Sequence, residues 1–292
     1  MRQSILILFA IALAIPGTKA QDLLSMLDSI GPAKPGTVYQ TAAFKSVRLI
    51  NGYTTEFAGE NELVFTISHR FNSVKSGIHD LFGIDHSTIR FGFEYGLSDK
   101  FDLGLGRSSN LELYDGFMKI KLATQSVGEK KFPVSIALLE GFAVSTFENL
   151  SSEIDYPLVS RMYYVHELLV SRKFNEKLSL QLMPVVLHRN RVKAAKDQNT
   201  VPAIGLGGRY KITNRFTFNG EYYYLLPGQT ADDYENSLSF GIGIETGGHV
   251  FQIQLSNSRG MTEKAFLPEN TTSWLDGEIH LGFNIMRIFS FN

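Results

Sequence analysis

Between Thr88 and Leu97 every second residue is apolar: Ile89, Phe91, Phe93, Tyr95 and Leu97 alternate with Arg90, Gly92, Glu94 and Gly96. A two-residue period is the repeat of an extended strand, whose successive side chains point to opposite faces. A strand of a soluble core rarely sets Arg and Glu opposite an aromatic row. In a bilayer the arrangement is natural, because the apolar row meets lipid while the small or charged row faces a lumen. The pattern continues past Ser98-Asp99 into Phe101, Leu103 and Leu105, with Asp102, Gly104, Gly106 and Arg107 assigned to the inward side.

The joint between these two runs recurs. Leu97-Ser98-Asp99-Lys100-Phe101, Phe174-Asn175-Glu176-Lys177-Leu178 and Ile212-Thr213-Asn214-Arg215-Phe216 each place a turn-forming polar pair, then a base, then the first apolar residue of the next run. That is the grammar of a hairpin. Alternation returns in Phe216, Phe218, Tyr222 and Tyr224 against Thr217, Asn219, Glu221 and Tyr223, and in Leu238, Phe240, Ile242 and Ile244 against Ser239, Gly241, Gly243 and Glu245. Strands are predicted near 62–71, 87–97, 101–109, 117–126, 132–146, 160–173, 178–190, 201–212, 216–226, 236–246, 250–258 and 274–288. Residues 132–146 and 160–173 sort least cleanly onto two faces and predict a bulge. Short connections near Ser98, Gly128, Asn175, Thr213 and Gly247 alternate with longer ones near 72–86, 110–116, 147–159, 191–200, 227–235 and 259–273. The expected fold is all-β: a transmembrane antiparallel up-and-down β-barrel of about twelve strands, with short periplasmic turns and longer extracellular loops.

The chain ends and the composition agree with export. Arg2, the apolar run Ile5 to Ile15, the break at Pro16-Gly17 and the small-residue site Thr18-Lys19-Ala20 read as a signal peptide over 1–20. Residues 21–37 are expected to form a flexible periplasmic leader. Residues 38–60, with Val47, Leu49, Ile50 and Tyr53, are open to three readings: a flap, a lumen plug or an extra hairpin. The barrel domain takes 61–292. No later stretch supplies the roughly 20 apolar residues of a spanning helix. The absence of cysteine excludes a disulfide scaffold, a thiolate metal site and a cysteine nucleophile. A net charge of −1 without a basic block gives nucleic acid no electrostatic purchase.

Several phrases carry a family likeness: Phe44-Lys45 with Leu49-Ile50-Asn51-Gly52, then Ile67-Ser68-His69-Arg70-Phe71, Leu81-Phe82-Gly83-Ile84-Asp85, Arg90-Phe91-Gly92-Phe93-Glu94-Tyr95-Gly96, Gly106-Arg107-Ser108 and Tyr114-Asp115-Gly116. From about residue 40 onward the chain resembles an uncharacterised family of Bacteroidota outer-membrane β-barrels, a domain of unknown function. The resemblance implies a Gram-negative outer-membrane location and no reaction.

The inward rows nominate lumen-lining residues: Arg70, Arg90, Arg107, Lys119, Lys121, Arg189, Arg209 and Lys211 beside Glu94, Asp102, Glu167, Glu221, Glu245 and Glu278. Opposed charges across a water column would make a passive pore for small polar solutes. The same charges, interlocked, would close the lumen and leave a structural or partner-binding barrel. A third reading is a hydrolase, either at the rim from His79, Asp80, Asp85 and His86 beside His69-Arg70, or from Ser256 with His280. The rim residues are ordinary loop residues without metal-ligand spacing, Ser256 and His280 on neighbouring strands are one pair among seven His and many Ser, and no catalytic residue, metal or cofactor is expected. Gly104-Leu105-Gly106 and Gly205-Leu206-Gly207-Gly208 lie within strands with no helix following, so lumen packing explains them better than a phosphate loop. Trp274 and Tyr222-Tyr223-Tyr224 read as membrane-interface aromatics rather than a carbohydrate platform. The expected partners are outer-membrane lipid and small polar solutes.

Overall fold

The computed structural model describes residues 36–146, 157–228, 230 and 233–291. The expected signal peptide, the leader up to residue 35 and most of the 147–159 connection lie outside the described residues.

Twelve antiparallel strands close into one barrel: β2 Glu62–Ser73, β3 Ser87–Ser98, β4 Phe101–Ser108, β5 Leu113–Ala123, β7 Ser135–Ser145, β8 Met162–Lys173, β9 Leu178–Arg189, β10 Thr200–Lys211, β11 Phe216–Leu225, β12 Ser237–Thr246, β13 His249–Ser256 and β14 His280–Ser290. Each pairs with its neighbour in sequence, and β14 pairs with β2, Ile285 opposite Ile67, to shut the seam. Closure satisfies every strand edge, which a bilayer demands because lipid offers no hydrogen bonds. A separate ribbon pairs β1 Val38–Tyr39, ahead of the barrel in sequence, with β6 Ser126–Val127 in the connection between β5 and β7.

Connections 99–100, 124–134, 174–177, 212–215 and 247–248 gather at one end; 74–86, 109–112, 146–161, 190–199, 226–236 and 257–279 gather at the other. Asn175 shows how the repeated phrase turns: its Oδ1 accepts from the amides of Lys177 (2.8 Å) and Leu178 (2.9 Å), so the side chain satisfies the backbone that the reversal strips of partners.

Outward, Phe91, Phe93, Leu103, Leu105, Leu206, Phe218, Ile242 and Ile253 are exposed along the wall, the apolar belt that lipid would cover. Inward, the wall has two halves. On β2–β4 and β12–β14 it is polar, with Ser68, Arg70, Arg90, Glu94, Asp102, Gln252, Gln254 and Asn284 buried. On β7–β10 it is mostly apolar, with Ala137, Leu139, Val165, Leu169, Met183, Val185, Leu187 and Val201 forming a core, among which Glu167, Gln181 and Arg189 are also buried.

That apolar half corrects the bulge expected at 132–146 and 160–173. Pairing of β7 with β8 runs in regular register from Ser135 opposite Ser171 to Val144 opposite Met162. Its rows look mixed because each face carries both apolar and polar residues: Tyr163, Val165, Glu167 and Leu169 share the buried row, while Tyr164, His166 and Leu168 share the other. The register shifts lie instead at Gly96/Ser98, Lys121/Ala123 and His280/Gly282. The last strand also begins at His280 rather than near 274. Gly277 has φ +73°, and the amides of Gly277 and Glu278 turn back to the carbonyls of Trp274 (3.2 Å) and Ser273 (3.0 Å), which ends any extended run before residue 280.

Candidate functional site in the lumen

Residues 44–58 lie inside the barrel. Phe44, Val47, Leu49, Ile50, Tyr53 and Ala58 are buried, and the segment folds back on itself as a small hairpin. Leu49 N–H donates to the Gly52 carbonyl (2.9 Å) and Thr54 N–H to the Val47 carbonyl (2.9 Å), with Arg48 bridged to Tyr53 and its guanidinium 3.8 Å from the centre of the Tyr53 ring. The tip is Leu49-Ile50-Asn51-Gly52.

Glu221, projecting inward from β11, holds this tip. Its carboxylate accepts backbone N–H groups from Ile50 (3.2 Å), Asn51 (2.8 Å) and Gly52 (3.1 Å). Three converging amides form a nest, and a carboxylate filling a nest makes charge-assisted bonds stronger than neutral ones. The polar wall adds further ties. Arg70 Nη2 donates to Asn51 Oδ1 (2.6 Å), Asn284 Nδ2 to the Ile50 carbonyl (2.9 Å), and Gln252 Nε2 to the Leu49 carbonyl (2.9 Å). Further along, Gln181 on β9 clasps the strand-like stretch from both sides, accepting from Thr55 N–H (3.0 Å) and donating to the Tyr53 carbonyl (2.7 Å). The backbone of a segment with no sheet of its own is thus satisfied by lumen side chains, as buried amides and carbonyls require. Gly52 must be glycine for this fit, since a Cβ there would fall on the Tyr223 hydroxyl. Gly52→Val should lift the tip from its seat, read as new proteinase K cleavage within residues 44–58 in micelles.

The charged candidates divide by what they hold. Lys119, fully buried, sits between Glu94, which accepts its ammonium, and Asp102 at 3.6 Å, while Asp102 also accepts Ala58 N–H (3.0 Å) where the segment leaves the lumen. Arg90 pairs with Asp115, Nε to Oδ1 at 3.1 Å. At the short-turn end Arg209 donates to the Ala43 carbonyl (2.9 Å), Lys45 of the segment meets Glu245 (2.9 Å), and Lys121 lies 4.5 Å from the Phe57 ring centre. Lys211, two residues beyond Arg209, shares its inward parity at the strand end. Glu167 is buried with the Tyr223 hydroxyl at 3.5 Å. Arg189 reaches the Gln198 carbonyl (3.3 Å) at the long-loop rim.

Two candidates do not line the lumen. Arg107 shares the outward row of Leu103 and Leu105, and its guanidinium lies 4.7 Å from the Tyr114 ring centre. At the strand end an arginine can lay its stem on apolar surface and keep its charge at the interface, so parity rather than charge decides its side. Glu278 belongs to the 257–279 connection, where it meets Lys75 (3.5 Å) and Ser273 N–H (3.3 Å).

From the long-loop end, the 257–279 connection descends onto the hairpin. Its helical turn Glu263–Phe266 buries Phe266 and Leu267 in the apolar half, with Phe266 5.0 Å from the Tyr223 ring and Tyr53 4.6 Å from Phe117. Burial pushes the Glu263 carboxyl upward, Arg48 of the hairpin opposing it. It pushes Lys264 downward, with Glu269 opposing. Between hairpin and wall, two cavities hold about 10 Å³ each, one lined by Leu49, Arg209, Thr217 and Gln252, the other by Tyr53, Leu139, Tyr163 and Glu263. Each is about the size of one water molecule.

The remaining motifs take ordinary places. Ser256 and His280 are cross-strand partners, but Ser256 Oγ accepts from Ser239 (2.8 Å) and Ser258 N–H (2.9 Å), while His280 Nδ1 faces the Phe71 carbonyl (2.9 Å). Among the described residues no three His, Cys, Asp or Glu side chains gather as a metal would require. Gly104 and Gly205 make room for the Phe117 and Tyr223 rings. Of the tyrosine run, Tyr223 faces inward while Tyr224 is exposed on the wall.

Over residues 44–289 the sequence matches the family model described as membrane bound beta barrel domain. A search of curated proteins finds no match. Solved structures of similar shape include the NanC porin (TM-score 0.48, 9% identity, 79% of this chain and 99% of that one), the KdgM porin (0.45, 9%, 79% and 99%) and outer membrane phospholipase A from Escherichia coli (0.45, 11%, 79% and 91%).

Proposed function

The chain belongs to the DUF5777 family of membrane-bound β-barrel domains, and from that premise we propose that it is an outer-membrane barrel closed at rest by its own hairpin at 44–58. Lipid covers the outward belt, the short turns face the periplasm and the long loops face outside. In this state the barrel serves as a non-conducting surface element. Passage of small polar solutes belongs to a second state, in which the hairpin has left. The polar half of the wall, with its Arg, Glu, Gln and Asn side chains, is suited to line water once uncovered. No reaction is assigned to it.

The Glu221 nest carries this reading. A lumen side chain built to bind three amides of an inserted segment has little purpose in a standing pore. Reconstituted into planar lipid bilayers, the protein should give baseline current with only brief openings. Steady open-channel current in most insertions would sink the closed-at-rest reading.

A further inference from the structure

The outward rows of the twelve strands keep their arginines near the ends: Arg107, Arg172 and Arg287 each lie within three residues of a strand terminus. Glu140 breaks that rule. It is the central residue of β7 and, among the described residues, the one carboxylate on an outward row. Opposite it on β8 stands His166, whose Nδ1 meets the Glu140 carboxylate. Both side chains are open to the outside, His166 56% exposed and Glu140 32%. The same level of the wall continues into Met118 on β5 and Val186 on β9, both exposed and apolar. An acid and a base thus lie deep within the belt that lipid would cover.

An apolar cross-strand pair would suit lipid better than this one. Ionisable side chains on the outer face of a barrel cost most at mid-depth, and within a membrane they mark contacts or pathways. The pair does not serve the lumen, because its strand neighbours Leu139, Val165 and Glu167 take the buried row. We propose that the β7–β8 face packs against a second copy of this chain, with Glu140 and His166 at the centre of the contact.

Charge complementarity singles out a second copy. Two barrels in one membrane stand the same way up, so a twofold axis relating them runs along the membrane normal and keeps every residue at its own height. Glu140 and His166 are direct ladder partners, about 5 Å apart at Cβ. Rotation about an axis between β7 and β8 therefore brings the acid of each copy to the base of the other. The valences fit. Within one chain the bond uses Oε2 of the carboxylate and Nδ1 of the ring, which leaves Oε1 and Nε2 to cross the interface. Rings protonated on both nitrogens donate to both carboxylates, and two rings with two carboxylates close a cycle of no net charge. Leu138, Phe142 and Leu168 on the same outward rows surround it with apolar surface. The proposal rests on the barrel standing in a bilayer, not on whether its lumen conducts.

The test is resonance energy transfer between donor- and acceptor-labelled copies of the full protein in phosphatidylcholine vesicles, as the protein-to-lipid ratio is varied. With no native cysteine, Asp99→Cys in a short turn carries the label. The parent should show transfer that saturates as a dimer. Glu140→Leu with His166→Leu should weaken association tenfold or more, while heat-modifiable migration on gels stays that of a folded barrel. Exchange of the two residues, Glu140→His with His166→Glu, should restore it, since the axis still pairs acid with base; Glu140→His alone should not. Under oxidation Leu168→Cys should cross-link to its own copy, and Ile253→Cys on β13, across the barrel, should not. Parent transfer no greater than chance encounter overturns the proposal. So does equal association in the double leucine variant, or cross-linking at Ile253→Cys as ready as at Leu168→Cys.

Discussion

Replacing Glu221 by alanine should turn a silent barrel into a conducting one. The substitution leaves the N–H groups of Ile50, Asn51 and Gly52 without their acceptor, and each unsatisfied buried amide costs about 1–3 kcal/mol. Water entering the gap recovers part of this. Even a net loss of about 3 kcal/mol raises the population with the hairpin displaced roughly a hundredfold. Glu221→Gln, which keeps one acceptor oxygen, should fall between parent and alanine variant. Because the chain has no cysteine, Ile50→Cys supplies a single label site. Maleimide should react slowly with Cys at this position in the parent background and many times faster with Glu221→Ala, in step with bilayer current. Equal current and equal labelling in both backgrounds would show that the nest does not hold the segment.

The second large effect is on stability. Lys119→Met should destabilise the barrel by about 3–5 kcal/mol, because it leaves Glu94 and Asp102 facing each other in the lumen without their shared cation. Urea unfolding in micelles, followed by circular dichroism, measures it. Adding Glu94→Gln and Asp102→Asn to Lys119→Met should return most of the loss, since a neutral trio buries no unpaired charge. A triple variant no better than Lys119→Met would mean that lost packing, not charge, sets the cost. Asp102 also caps the Ala58 amide, so the single substitution should loosen the exit of the hairpin as well.

The strands were legible because a bilayer-facing wall imposes a strict two-residue code over many turns. Predicted β3, β4 and β11 fall within a residue or so of their observed limits. Where the code failed, a different force held the residue. Charge argues for Arg107 inside, while pleat parity and the Tyr114 ring put it outside. Glu278 alternates with its neighbours like a strand residue, yet Gly277 bends the chain away. The hairpin at 44–58 left no periodic trace, since its backbone bonds to side chains of β9, β11, β13 and β14 rather than to a strand partner. Signals for it were nevertheless present. Between residues 135 and 201 much of the inward row is apolar as well as the outward one, with Ala137, Leu139, Val165, Leu169, Met183, Val185, Leu187 and Val201 buried, and such a stretch does not face a water column. In β13 and β14 the inward row carries neutral amides, Gln252, Gln254 and Asn284, which suit a guest backbone.

The seam between β2 and β14 carries a consequence for biogenesis. It joins segments more than two hundred residues apart, Ile67 with Ile285, so the cylinder cannot shut until the end of the chain has arrived, and such distant pairing forms late. The hairpin immediately precedes β2 and binds β14 through Asn284. It is therefore tethered to one lip of the seam and recognised by the other. The segment that blocks the finished lumen is thus placed to act during assembly as a mould, drawing the last strand toward the first and setting the register in which they meet.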